Sequence, residues 1–280
     1  IMMKTESALE FVKRKASSLH DDCFTNKLDI ETMVCSTLVL SKAKLYADLP
    51  SISESQKESI CSMIDRRELG EPLAYILEEK GFWDINLKVN RHVLVPRPET
   101  ETITAAVLGL YNQEHKRVLD LGTGSGALAL SLANSRKQWE IYATDISFQA
   151  LKVAKHNQDN LKKKVFLIQS SWFEAFKKES FDLIVSNPPY IGSADKRLKD
   201  DGLRFEPKVA LVSGETGLQD LIEICINSFS FLKPGGRIFL EHGPSQENSI
   251  KEQFLMSGYT KVKPLKDLNG DVRVTMAFKV

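Results

Sequence analysis

The sequence predicts an α/β protein in which a parallel sheet built from βαβ units follows a separate helical module. Beyond residue 115, short apolar runs alternate with helix-length stretches, the pattern of strands joined by crossover helices. Before residue 80 there is a single glycine, Gly70, and one periodic stretch follows another. The 280 residues suffice for roughly two domains at about 150 residues each.

Taken in chain order, Leu9, Val12, Ala16 and Leu19 recur at helical spacing. Ile30, Val34 and Leu38 do the same, and Lys42 with Ala43 a turn later extends that pattern. A third helix opens at Ser53, because Ser53-x-x-Gln56 has capping-box spacing, and carries Ile60 and Ile64 on its apolar face. From Gly81 the period shortens to two. Ile85, Leu87 and Val89 alternate with polar residues, and Val93-Leu94-Val95 follows Asn90-Arg91, which predicts a short hairpin. Pro96-Arg97-Pro98 interrupts it, and Glu99 to Tyr111 returns to a helical pattern with acids in its first turn. The expected division is a helical domain at 1–78, a hairpin linker at 79–97 and a sheet domain at 98–280.

In that last domain strands are expected at 117–121, 140–145, 165–169, 181–186 and 237–241. Helices are expected at 127–134, 147–160, 216–232 and 246–257. Two final strands, 261–265 and 272–280, are joined by the hairpin-type turn Asn269-Gly270-Asp271, so an antiparallel strand ends the sheet. The 24 residues from Gly192 to Glu215 are long for a structureless connection and are expected to form a lid on the substrate side.

Composition narrows the function. Lysine and arginine number 38 against 37 aspartates and glutamates, a net charge of +1, which does not mark a dedicated nucleic-acid binder. The first 80 residues hold 11 basic and 14 acidic side chains, net −3, a poor grip for phosphates and a suitable one for another protein. No apolar run approaches the roughly 18 residues that cross a bilayer, and Ile1-Met2-Met3-Lys4 opens no signal peptide, so a cytoplasmic protein without a membrane partner is expected. Cys23, Cys35, Cys61 and Cys225 form no C-x-x-C pair, and His20, His92, His115, His156 and His242 show no metal spacing. Neither a metal site nor a disulfide framework is expected.

Asp120-Leu121-Gly122-Thr123-Gly124-Ser125-Gly126 lies where the first sheet strand turns into its helix. Glycines there let the backbone approach a ligand and leave the helix N-terminus facing it. The signal is nucleotide binding in general, since Gly122-x-Gly124-x-x-Ala127 also satisfies a relaxed dinucleotide pattern. Asp145 ends the second strand, where a carboxylate accepts hydrogen bonds from two ribose hydroxyls, although capping the next helix is a second reading. Trp172 follows the third strand at the same edge and suits an adenine face or ordinary packing.

Asn187-Pro188-Pro189-Tyr190 follows the fourth strand, at the carboxyl end where open α/β sheets bind ligands. Two prolines remove two donors and stiffen the chain, so the Asn187 side-chain oxygen and the Pro188 carbonyl become fixed acceptors. Such a pair suits a planar NH₂ group, with Tyr190 as a wall. The nitrogen lone pair of such a group is conjugated and needs a reactive carbon nearby. S-adenosylmethionine supplies one, and positioning alone is worth about 7–11 kcal/mol.

These segments resemble the PrmC/HemK protein-glutamine N5-methyltransferases. The resemblance runs through Gly70-Glu71-Pro72-Leu73-Ala74-Tyr75, Phe82-Trp83, Val95-Pro96-Arg97-Pro98-Glu99-Thr100-Glu101, the glycine loop, Ser186-Asn187-Pro188-Pro189-Tyr190-Ile191, Arg204-Phe205-Glu206-Pro207 and Leu240-Glu241-His242-Gly243. It implies a small helical bundle, a hairpin linker and a Rossmann-like, seven-stranded methyltransferase sheet. It implies S-adenosylmethionine as cofactor, held at Gly122, Thr123, Gly124, Ser125, Gly126, Asp145, Trp172 and Asn187. The substrate glutamine, in the GGQ motif of class-1 peptide chain release factors, would be held by Asn187, Pro188, Pro189 and Tyr190. Ser171 stands where the resemblance leads one to expect an acid before the tryptophan. Arg97 and Glu101 are expected near the cleft or in an interdomain ion pair, and Glu241 and His242 at its margin. A monomer that does not bind nucleic acid directly is expected. The alternatives are a methyltransferase acting on a base amine, a nicotinamide oxidoreductase using the same glycine loop, whose Tyr259-x-x-x-Lys263 spacing falls at a predicted strand where residues four apart do not meet, and an idle adaptor.

Overall fold

A computed structural model describes residues 6–19, 24–112, 114–199 and 202–280 of the chain; Ile1 to Lys4, His20 and Cys23, named above, lie outside the described residues. The chain divides into two compact units, residues 1–78 and 79–280.

Among its described residues the first unit holds five helices, α1 (Ala8–Ser17), α2 (Lys27–Leu38), α3 (Lys42–Asp48), α4 (Glu54–Glu68) and α5 (Leu73–Ile76). Ser53 caps α4 reciprocally with Gln56, as its spacing predicts, and Ser7 does the same for α1 with Glu10. The expected continuation of α2 through Lys42 and Ala43 does not occur. Val39 adopts a left-handed conformation at φ 51°, and the Ser41 side chain accepts from the Lys44 N–H to start α3 afresh. Phe11, Val12, Ile30, Met33, Val34, Leu45 and Ile60 are fully buried together.

The second unit opens with a hairpin, β1 (Glu79–Phe82) against β2 (Ile85–Lys88). Sequence periodicity locates β2 but pairs it with Val93 to Val95, which form no strand. Val93 instead closes a turn onto the Asn90 carbonyl, and the N–H of Val95 is taken by the Glu206 carboxylate at 2.9 Å. The one-turn helix at Pro98–Thr100 leads into α6 (Glu101–Leu110).

A seven-stranded sheet follows, in the order β5-β4-β3-β6-β7-β9-β8. Its members are β3 (Arg117–Leu121), β4 (Glu140–Asp145), β5 (Phe166–Gln169), β6 (Phe181–Ser186), β7 (Leu232–Glu241), β8 (Thr260–Lys266) and β9 (Val272–Phe278). The first five pair in parallel and the last two antiparallel. β7 starts five residues before the expected Arg237, with a register irregularity opposite Phe181 and Leu183. The intervening helices are α7 (Ala127–Ser135), α8 (Phe148–Leu161), α9 (Gln219–Phe231) and α10 (Glu247–Met256).

The central strands β3, β6 and the second half of β7 are buried on both faces, which is why they read as near-continuous apolar runs, whereas the edge strands β5 and β8 are largely exposed. Val118, Val185 and Phe239 pack with Ile103, Val107 and Leu128 on one face, where Leu87 of the hairpin joins them. Leu119, Leu121, Ile184, Ile238 and Leu240 pack with Leu221, Ile224 and Phe254 on the other, and Cys225 is buried among them. From β3 the chain adds strands outward on one side as far as β5, then returns to add β6 and β7 on the other. The carboxyl ends of β3 and β6 therefore flank a topological switch point, where open sheets of this kind bind ligands.

Candidate active site

A cavity of about 450 Å³ opens at that switch point, within the usual range for small-molecule sites. Each strand end contributes: Gly122 to Ser125 after β3, Thr144 and Asp145 at the end of β4, Ser170 to Trp172 after β5, and Asn187 after β6. Thr100 and the turn before it, His92 to Leu94 with Pro96, close another wall, and Val209, Ala210, Val212 and Gly214 line the cavity from the long connection.

The glycine loop is held in shape from below. The buried Asp120 carboxylate accepts from the Thr123 hydroxyl at 2.6 Å and from the Ala129 N–H at 3.2 Å. Burial pushes this carboxyl up to about 7, against those two hydrogen bonds. Gly124 sits at φ 56° with open space where a side chain would stand, so its backbone is bare toward the cavity. Its N–H donates to Asp145 Oδ2 at 2.9 Å, while Asp145 Oδ1 accepts from the Ser147 N–H at 2.9 Å. Burial raises the Asp145 carboxyl against both bonds. Asp145 thus braces the loop and caps the turn into α8 while still lining the cavity.

Asn187 has a polarised setting. Its Nδ2 donates to Thr100 Oγ1 at 3.0 Å, and its buried Oδ1 has no hydrogen-bond partner among the described residues. A buried acceptor left open beside a cavity costs about 1–3 kcal/mol and is satisfied by a ligand that donates to it. Thr144 Oγ1, also on the lining, is open in the same way.

The predicted residues divide accordingly. Gly122, Thr123, Gly124, Ser125, Asp145, Trp172, Asn187 and Pro189 line one cavity. Gly126, Pro188 and Tyr190 are not among its lining residues. Gly126 caps α7 at φ 87°, where an added Cβ would meet Leu130 at 2.8 Å, so it serves helix packing. The Tyr190 hydroxyl accepts from Arg273 Nη2 at 3.0 Å and donates to Glu241 Oε1 at 3.3 Å, and burial raises its pKa. Trp172 stands at φ 38° with its ring edge 3.5 Å from where a Gly122 Cβ would be.

Arg97 pairs with the buried Glu206, and Glu101 accepts from the Trp83 N–H at 2.9 Å, so both serve contacts inside the second unit. His242 is buried against Thr275 and the Gly243 carbonyl and does not line the cavity. The connection expected as a lid is tied down: Ile191 bonds Leu211 and Ser213, and Ser193 bonds Gly214, each at 2.9 Å. Sequence reasoning missed His92, Thr100 and Asn157. Asn157 Nδ2 donates to the Ser125 carbonyl at 2.9 Å, and its one legible signal is an amide on the apolar stripe of α8 that also carries Ala150 and Ala154.

The Methyltransferase small domain family matches residues 102–200 and the PrmC N-terminal domain family matches residues 12–77. A protein of Shewanella oneidensis named release factor glutamine methyltransferase is 40% identical over 251 residues, 89% of this chain and 88% of its own. One of the same name from Coxiella burnetii is 39% identical over 276 residues, 97% of this chain and 98% of its own. Among solved structures, a methyltransferase from Pyrococcus furiosus aligns with a TM-score of 0.53 at 21% identity, covering 81% of this chain and 99% of that one. The 16S rRNA N2 G1207 methyltransferase of T. thermophilus, in complex with AdoMet and guanosine, aligns at 0.51 and 23% identity, covering 72% of this chain and 50% of that one. Both share the fold.

Proposed function

The chain belongs to the release factor glutamine methyltransferase family, and from that premise we propose that it transfers the methyl group of S-adenosylmethionine to N5 of the glutamine in the GGQ motif of class-1 peptide chain release factors. The observation that carries this reading is the open Asn187 Oδ1, buried and without a partner among the described residues, on the same cavity as the glycine loop and Asp145. An NH₂ donor answers that acceptor, whereas an ionised carboxylate, which only accepts, does not.

The residues present fit the cofactor. The bare backbone at Gly124, the Asp145 carboxylate and the half-buried Trp172 offer close approach, a hydroxyl acceptor and an aromatic face around one cavity. S-adenosylmethionine, when bound, supplies an electrophilic methyl carbon on a positively charged sulfur. The protein's own contribution is positional. Asn187 Oδ1, on the cavity, accepts one amide hydrogen; in this reading Pro189 on the lining keeps the segment stiff, and the Pro188 carbonyl and the Tyr190 ring, which lie outside the lining, reach the planar group only by turning toward the cavity. The amide nitrogen would gain the methyl as the bond between that carbon and sulfur breaks, leaving a neutral thioether, and one amide proton would pass to water.

The protein substrate is the expected partner. The helical unit's net charge of −3 favours a protein over a phosphate backbone, and we assign no nucleic-acid contact, a monomeric state and a cytoplasmic setting. Among the described residues no helix is long and apolar enough to cross a membrane. The test is mass analysis of a release factor after incubation with this protein and S-adenosylmethionine. One added methyl on the GGQ glutamine is expected, and an unmodified glutamine, or methyl transfer to nucleic acid alone, overturns the reading.

A further inference from the structure

Both ends of the Asn187-Pro188-Pro189-Tyr190 segment are pinned by hydrogen bonds. At the near end Asn187 Nδ2 donates to Thr100 Oγ1 at 3.0 Å. At the far end the Tyr190 hydroxyl accepts from Arg273 Nη2 at 3.0 Å and gives its own hydrogen to Glu241 Oε1 at 3.3 Å. The Arg273 guanidinium carbon also lies 5.8 Å from the centre of the Tyr190 ring. The main chain is held as well: Gln246 Nε2 donates to the Tyr190 carbonyl at 3.0 Å, while Gln246 Oε1 accepts from the Gly243 N–H at 2.8 Å. Arg273 comes from β9, the fully buried Glu241 from the end of β7, and Gln246 from the residue before α10. All three stand off the cavity lining.

We propose that Arg273, Glu241 and Gln246 are positioning residues that clamp Tyr190 and, through the two prolines, keep Asn187 Oδ1 aimed at the substrate amide. The proposal rests on the glutamine-methylation reading above. Each proline has its φ fixed at about −65°, so a displacement of Tyr190 passes along the segment instead of being absorbed within it. β7 pairs with β6, which ends one residue before Asn187, and with β9. The clamp therefore ties the far end of the segment to the same sheet from which its near end emerges, and the segment becomes a closed bracket. The Arg273 bond has a charged donor and is stronger than a neutral contact of the same length. A Tyr190 ring turned toward the cavity would give up both hydroxyl bonds. The hydroxyl, not the ring, thus carries the role of Tyr190 in this arrangement.

The test compares Arg273→Met, Gln246→Glu and Tyr190→Phe with the natural protein. Gln246→Glu keeps the oxygen that meets Gly243 and loses the donor to Tyr190, and Tyr190→Phe keeps the ring and loses the hydroxyl. One measurement is NMR of the Asn187 side-chain NH₂, identified by its loss in Asn187→Asp, which needs no release factor. The others are kcat and KM for methylation, and calorimetric affinity for S-adenosylmethionine. Each variant should displace or broaden the NH₂ signals and lower kcat about tenfold to a hundredfold, with KM and cofactor affinity little changed. Tyr190→Phe combined with Arg273→Met should lose no more than the worse single variant, since both cut the same bond. Where Arg273→Met does not fold, the two variants of conserved size decide. Unmoved NH₂ signals overturn the proposal, as does full kcat in Tyr190→Phe, because a ring acting only as a wall needs no hydroxyl. Cofactor affinity that falls in step with kcat also overturns it, since the site as a whole would then have loosened. A natural protein that leaves release factors unmodified sinks the glutamine reading instead, and the NH₂ signals still decide whether the clamp holds Asn187.

Discussion

Asn157 and Lys88 exchange two hydrogen bonds across 69 residues of sequence: Asn157 Oδ1 accepts from the Lys88 N–H at 2.7 Å, and Nδ2 returns one to the Lys88 carbonyl at 2.9 Å. The same Nδ2 donates to the Ser125 carbonyl in the glycine loop. One amide on α8 thus mimics a strand neighbour for the end of β2 and braces the loop on the cavity wall. Asn157→Ala leaves three main-chain groups without that partner and should cost about 2–4 kcal/mol of stability. Cofactor affinity should weaken with it, because the loop loses a tether. Thermal unfolding and calorimetric titration check both, and a variant losing stability with intact affinity would place the effect in the hairpin alone.

Asp145 links fold and ligand differently. It accepts from Gly124 and Ser147 while lining the cavity, so its charge has spare acceptor capacity facing inward. Asp145→Asn keeps the shape and one good acceptor oxygen. Hydrogen bonds to a charged group contribute about 1.5–3 kcal/mol, so affinity for S-adenosylmethionine should fall about ten- to hundredfold. The fold should survive, as judged by an unchanged far-ultraviolet circular dichroism spectrum.

Asp120 predicts a pH dependence of the sign opposite to that of most surface carboxylates. Its folded carboxyl titrates near 7 because it is buried, against an ordinary value of 3.8. Between those values the folded chain holds a proton that the unfolded chain has released. The contribution of this group is thus complete below about pH 4, declines as pH rises toward 7, and is level above. Its full span is no more than about 4 kcal/mol. Asp120→Asn should remove that slope, so the variant gains stability relative to the natural protein between pH 5 and pH 8. Urea unfolding at the two values measures the difference, and a gap that stays constant with pH would refute the assignment.

The parallel strands were legible because each is apolar on both faces and bounded by polar or glycine-rich turns. β3, β4 and β6 occupy the expected residues. The cavity was legible for the same reason: once strand ends are known, Gly122, Asp145, Trp172 and Asn187 fall at one edge of one sheet. β1 was not, since Glu-Lys-Gly-Phe buries only Phe82 and carries no alternation. Nor was the end of α2, where a valine takes the left-handed turn that glycine ordinarily marks. Thr100 and Asn157 owe their roles to partners 87 and 69 residues away, and such separations leave no periodic trace in a single sequence.

Glu206 joins the long connection to the Pro96-Arg97-Pro98 turn by accepting from the Val95 N–H and pairing with Arg97. Its side chain is 1% exposed, whereas that of Arg97 is 34% exposed. The pair is therefore asymmetric: removal of the carboxylate strands a buried N–H, but the guanidinium can rehydrate. Glu206→Ala should cost about 2–3 kcal/mol, less than the 3–5 kcal/mol typical when a fully buried partner is left charged. Glu206→Gln, which still offers an oxygen to Val95, should cost less than half as much. Because Val209, Ala210 and Val212 follow Glu206 onto the cavity wall, the alanine variant should also expose residues 192–215 to limited proteolysis. Equal destabilisation by the two variants would show that the charge on Arg97, and not the Val95 hydrogen bond, holds this wall in place.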